Sequence, residues 1–166
     1  RVLQHLPSGT VYRLQEPFLA LVPSTYMNLS GAACAEALRA GCDPARMLVL
    51  VDDKDLPLGL GRFRLAGGDG GHNGLASVLE ALGGPDIARL RLGIGPFRRP
   101  LADFVLGSWT DEEWTRIDAL DAPFARFMEL LGQTESLEAL PGQVNGTGFW
   151  GAAPDGGNVL DPAGES

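Results

Sequence analysis

"MLVLVDDKDLPLGLGRFRLAGGDGGHNGLASVLEAL" (residues 47–82) runs an apolar block, an acidic segment, an alternating segment, a glycine-rich loop and a spaced apolar repeat in immediate succession. The run 47–51 has the continuous Val/Leu pattern of a strand buried on both faces of a sheet. Residues 61–68 alternate polar with apolar, as a half-exposed strand does. Leu75, Val78, Leu79 and Leu82 then recur at i, i+3, i+4 and i+7, which predicts a helix starting near Asn73 and stopped by Gly83 and Gly84. Upstream, "FLALV" (18–22) reads as a second buried strand, and Leu29, Ala33 and Ala37 predict a helix ending at Gly41, so that 18–51 reads as a β-α-β unit. Downstream, "ARLRLGIG" (88–95) predicts a strand with Arg89 and Arg91 on the face opposite Leu90 and Leu92. Thr110 with Glu113 three residues later forms a capping-box pattern that starts a helix at Asp111, whose apolar stripe Pro123 kinks or splits.

The 166 residues, 45% of them hydrophobic, suit one domain with one ordinary core. That domain is expected over 1–140, followed at 141–166 by a Gly/Pro/Asp-rich tail with too little apolar content to order itself, although Phe149 and Trp150 could dock. No apolar run reaches the roughly 18 residues of a membrane span and residues 1–20 lack a signal-peptide pattern, so a cytoplasmic location is expected. Cys34 and Cys42 stand at no metal-ligand spacing and give no disulfide framework. "NLS" at 28 and "NGT" at 145 match glycosylation sequons and, without a secretion signal, are read as chance.

The formal charge of -8 is unevenly spread. Residues 58–100 carry six arginines against Asp69, Glu80 and Asp86, a net +3, whereas 101–166 carry twelve acids against Arg116 and Arg126, a net -10. Phosphate binding needs clustered cations rather than a basic total, so an RNA partner is compatible with this acidic chain, as are ordinary solvated arginines.

Three groups lie where binding residues gather in α/β proteins, beyond the ends of strands: Tyr26, Met27 and Asn28; Asp52 and Asp53; and His72 with Asn73. Each has a plain alternative. Asn28 and Asn73 are good helix caps, and "DDKDLPLG" is rich in turn formers, so a turn is slightly favoured over a carboxylate that orients a histidine. "GGDGGHNG" is neither a P-loop nor a dinucleotide fingerprint.

In order, "VPSTYMNLSG" (22–31), "VDDKDLPLGLGRFRLAGGDGGHNGLASV" (51–78), "ARLRLGIGP" (88–96) and "DFVLGSW" (103–109) closely resemble the bacterial-type peptidyl-tRNA hydrolase family over about residues 10–132. The resemblance implies a three-layer α/β/α fold with a mixed, mostly parallel central sheet, here lacking the first strand. It also implies hydrolysis of the ester joining a peptide to the 3′ ribose of tRNA, in translation, by a monomer without metal or organic cofactor. Asp52 takes the position of the aspartate that orients the general-base histidine. Asn28 and Asn73 resemble the amides that bind peptide and terminal nucleotide, Tyr26 and Met27 the channel wall, and His72 a pocket or gate residue. Arg62, Arg64 and Arg91 match the basic side chains that clamp tRNA phosphate, with Arg89, Arg98 and Arg99 as added charge.

The family's opening strand, "GLGNPG"-like turn and "RHNxG"-like segment with the base histidine have no counterpart here, and "LQHLPSG" around His5 matches nothing in them. The chain is therefore expected to be an N-terminally truncated form with little hydrolysis and poor stability. A noncatalytic RNA-binding module on the same fold is the second reading. A metallopeptidase of the hydrogenase-maturation type, with Asp52 and His72 as ligands, is the third, and the four ordered motifs disfavour it.

Overall fold

The computed structural model describes residues 1–96 and 100–151. The described residues form two three-stranded sheets and six α-helices, with three short 3-10 turns. The first sheet is an antiparallel meander of β1 (Val2–Leu6), β2 (Gly9–Arg13) and β3 (Leu19–Pro23). Helix α1 (Gly31–Arg39) follows a 3-10 turn over Met27–Leu29. The second sheet, in the order β4-β6-β5, contains β4 (Leu48–Pro57), β5 (Gly61–Arg64) and β6 (Ala88–Gly95), with β4 parallel and β5 antiparallel to β6. Between β5 and β6 lies α2 (Asn73–Leu82); after β6 come α3 (Leu101–Leu106), α4 (Asp111–Asp118), α5 (Asp121–Gln133) and α6 (Leu140–Val144).

The second sheet carries the layers. On one face Val51 packs with Leu75, Val78, Leu79 and Leu82 of α2.

 Cys34, Leu38, Met47 and Val49 border this cluster, and the small-residue contact between α1 and α2 is drawn close at Gly31, whose N–H donates to Ser77 Oγ at 3.0 Å. On the other face Phe63 and Leu90 pack with Phe127 of α5, Leu140 and Val144 of α6, and Trp150. The mixed sheet between helices is the expected three-layer α/β arrangement.

Three local expectations change. The run 18–22 does not join β4 in a β-α-β unit: β3 pairs antiparallel with β2, because the short turn after Arg13, closed by Phe18 N–H to Gln15 O at 2.9 Å, reverses the chain as a hairpin. Its residues are exposed or half-buried rather than buried on both faces. Asp52 and Asp53 are not in a turn, since β4 continues through them to Pro57, paired with β6 as Asp52 to Leu92 and Asp53 to Gly93. Residues 141–150, expected in a tail from which only Phe149 and Trp150 could dock, are built into the core beside Leu140: Val144 and Trp150 are buried, and Trp150 Nε1 donates to Val144 O at 2.7 Å. Three well-spaced large apolar side chains suffice there, despite the surrounding Gly and Pro. The rest of the expected tail, 152–166, lies outside the described residues, as do Arg98 and Arg99.

The capping box forms as expected, with Thr110 Oγ1 accepting from Glu113 N–H at 3.2 Å and Glu113 Oε2 accepting from Thr110 N–H at 2.7 Å. The apolar stripe is divided between α4 and α5, with Pro123 in the first turn of α5, where its missing N–H costs no helix bond.

Candidate active site

The glycine-rich loop joins β5 to α2 and is pinned along its length. At its start, the Arg89 guanidinium, only 2% exposed, donates to backbone carbonyls alone: Nε and Nη2 to Ile87 O, Nη2 to Pro85 O at 2.7 Å, and Nη1 to Gly67 O at 2.6 Å and Gly68 O at 2.9 Å. Burial, and secondarily the positive charge of Arg91, pull its pKa below the usual arginine range. Arg89 is thus a loop anchor and not the added charge for phosphate expected of it.

In the middle of the loop, Gly70 has φ +62° and lies against Arg91, so that a Cβ there would come within 2.9 Å of Arg91 Nη2. Arg91 Nε in turn stands 3.1 Å from Oδ2 of the buried Asp53, an ion pair in which Nε makes no hydrogen bond. Asp53 Oδ1 accepts from Asp55 N–H at 2.9 Å. Sequence reasoning gave Asp53 no separate role; its alternation with Val51 along β4, next to the Arg-bearing β6, is the signal that marks it as inward-facing.

At the end of the loop, His72 caps α2. Its Nδ1 accepts from Leu75 N–H at 3.0 Å, which leaves the proton of the neutral ring on Nε2, 3.0 Å from Asp52 Oδ1. Asp52 and His72 are therefore brought together. Neither asparagine acts as a helix cap: His72 does so for α2, and Asn28 lies within the 3-10 turn before α1, whose N-cap is Ser30. Among the described residues the side chains of Asn28 and Asn73 make no hydrogen bond, and both are exposed. Tyr26 is 82% exposed, and Met27 packs its sulfur against Gly74, beside the His72 ring.

Arg62 stands directly opposite Arg91 and Arg64 opposite Arg89 across the β5–β6 ladder. Like charges in facing positions destabilise a sheet unless something neutralises them. Asp53 balances Arg91 and carbonyls surround Arg89, but Arg62 and Arg64 have no acidic partner among the described residues. The pair forms a cationic row on β5, across β6 from the strand that carries Asp52. His5, the other imidazole, lies on the first sheet with Nδ1 3.1 Å from Thr10 Oγ1. Among the described residues no group of three or more His, Cys, Asp or Glu side chains is arranged to hold a metal ion, and no helix is long and apolar enough to cross a membrane.

A family model described as peptidyl-tRNA hydrolase matches residues 4–148. A peptidyl-tRNA hydrolase of Methylacidiphilum infernorum is 43% identical over 127 residues, covering 75% of this chain and 68% of that protein. One of Thermotoga petrophila is 50% identical over 100 residues, covering 58% of this chain and 54%, about half, of its own length. Among solved structures, the crystal structure of peptidyl-tRNA hydrolase from Acinetobacter baumannii matches with a TM-score of 0.70 and 28% identity, over 86% of this chain and 74% of that one. With a match across most of its length and the same fold, the chain belongs to the peptidyl-tRNA hydrolase family.

Proposed function

We propose that this chain binds peptidyl-tRNA and serves hydrolysis of the ester between the peptide and the tRNA 3′ ribose. The observation that carries the reading is the contact of Asp52 with the His72 imidazole; the adjoining Asn73 and, on β5 of the same sheet, Arg62 and Arg64 have no side-chain partner among the described residues. Asn73 and Asn28 offer donors and acceptors to the peptide and terminal nucleotide, Tyr26 and Met27 offer apolar wall, and Arg62, Arg64 and the Asp53-backed Arg91 offer charge to phosphate. No step requires a cofactor. Binding needs only the tRNA-linked ester and one copy of the chain.

Hydrolysis requires a group that takes a proton from the attacking water. In neutral His72 the Nδ1 lone pair is held by Leu75 N–H and the Nε2 proton faces Asp52; His5 is on the other sheet, engaged with Thr10. Neither ring has a free lone pair at the site, so the 166-residue chain is expected to bind tRNA while lacking the roughly 10²–10⁴-fold contribution of a general base. This favours the second reading, an RNA-binding role, for the chain by itself.

The test follows release of tRNA from an N-blocked aminoacyl-tRNA, alongside tRNA binding. Binding with little turnover is the expected result. Turnover typical of the family that is abolished by His72→Ala would overturn the assignment of His72 as a non-base. Absence of tRNA binding would overturn the whole reading.

A further inference from the structure

We infer that Asn145 is a positioning residue for the cationic edge, holding β5 so that Arg62 and Arg64 face a nucleic-acid phosphate chain. The inference rests on the phosphate-binding reading of those two arginines. Among the described residues β5 is an edge strand, paired only with β6. In an antiparallel ladder both backbone groups of one residue point to the same side, so a residue whose N–H and C=O miss β6 presents both outward. Phe63 is that residue. The Asn145 side chain meets it at two points: Oδ1 accepts from Phe63 N–H at 2.8 Å, and Nδ2 donates to Phe63 O at 2.8 Å. One side-chain amide thus does the work of one residue of a neighbouring strand.

Phe63 lies between Arg62 and Arg64, and its ring is fully buried on the opposite face. Fixing its backbone therefore fixes the direction of both arginines, whose Cα atoms are roughly 6.6 Å apart along an extended strand. The same C-terminal segment holds the start of β5, where Gly61 lies so close to Trp150 that a Cβ would come within 2.6 Å of the indole. An edge strand left uncovered would fray, and an edge covered by another strand would bring that strand's side chains beside the arginines. A single amide closes the edge without adding a neighbouring strand. It also explains the sequon at 145–147 structurally: the nitrogen that glycosylation would modify is committed to Phe63 O.

The test compares tRNA affinity and its salt dependence for the full chain, Asn145→Ala, Arg62→Ala/Arg64→Ala, and the triple variant, each checked for folding by circular dichroism. Asn145→Ala is expected to raise the Kd for tRNA about three- to tenfold and to flatten the slope of log affinity against log salt by about 1, with no further loss when added to the double arginine variant. A folded Asn145→Ala with wild-type affinity and slope overturns the positioning role, as does an equal loss on the double-arginine background. Should the double arginine variant itself bind tRNA like the wild type, the phosphate reading of the edge fails first. If Asn145→Ala does not fold, Asn145→Ser, which keeps an acceptor for Phe63 N–H, is read by the same criteria.

Discussion

His72 uses both ring nitrogens, one for the first turn of α2 and one for Asp52. His72→Ala is expected to lose the cap and the carboxylate contact together, about 1–2 kcal/mol in urea unfolding. His72→Asn restores a preferred cap and should recover about half of that, leaving Asp52 without its partner. A His72→Asn variant no more stable than His72→Ala would place the stabilisation in the Asp52 contact instead. The sequence located this residue and its neighbour but offered the cap to Asn73 rather than His72, since asparagine is the better cap by preference and the actual choice depends on backbone direction at residue 72. Arg89 was harder to read. Alternation puts it on one face with Arg91, yet only the return of Gly67 and Gly68 over that face shows that it is enclosed by carbonyls. Lysine has three donors in place of five and no planar fork. Arg89→Lys is therefore expected to cost about 2–4 kcal/mol by urea unfolding, the scale of several lost charge-assisted bonds to carbonyls left unsatisfied; a loss below 1 kcal/mol would show that the loop holds its course without the guanidinium.

Elements defined by contacts three or four residues apart were legible, and those defined by distant partners were not. The capping box at Thr110 and Glu113, the apolar stripe of α2 and the Arg/Leu alternation of β6 are local, and each appears where its spacing puts it. β3 shows the opposite case: an apolar run fits a buried parallel strand and a hairpin strand equally, and the turn at residues 14–18 decides between them. Residues 140–150 were obscured by composition, because Gly and Pro dominate while three buried side chains carry the packing. Of these elements α4 offers a clean test, since its boundary depends on two reciprocal bonds at the surface. Thr110→Ala is expected to destabilise the chain by about 1 kcal/mol with an unchanged denaturant slope, and Thr110→Ser to restore most of it.

At the scale of the whole molecule, the two sheets differ sharply in how they are held. The β4-β6-β5 sheet has helices on both faces, whereas the β1–β3 meander leaves Val2, Leu3, Leu19 and Val22 exposed and is tied to α1 at one end, where Ser8 N–H and Oγ donate to the Glu36 carboxylate at 3.1 and 2.9 Å. β4 is ten residues long and, among the described residues, pairs along one side only, with Leu50 51% exposed. A long strand with an unpaired edge and an apolar flank is a template for pairing with another chain, and a charge placed on it opposes such pairing. The molecule is therefore expected to self-associate as its concentration rises, which sedimentation velocity would follow. Leu50→Lys should shift the distribution toward monomer at little cost, about 0.5 kcal/mol or less, because the side chain it replaces is already half in water. If Leu50→Lys leaves the association unchanged, the contact lies elsewhere, and the exposed Leu19 and Val22 of the meander become the next surface to charge.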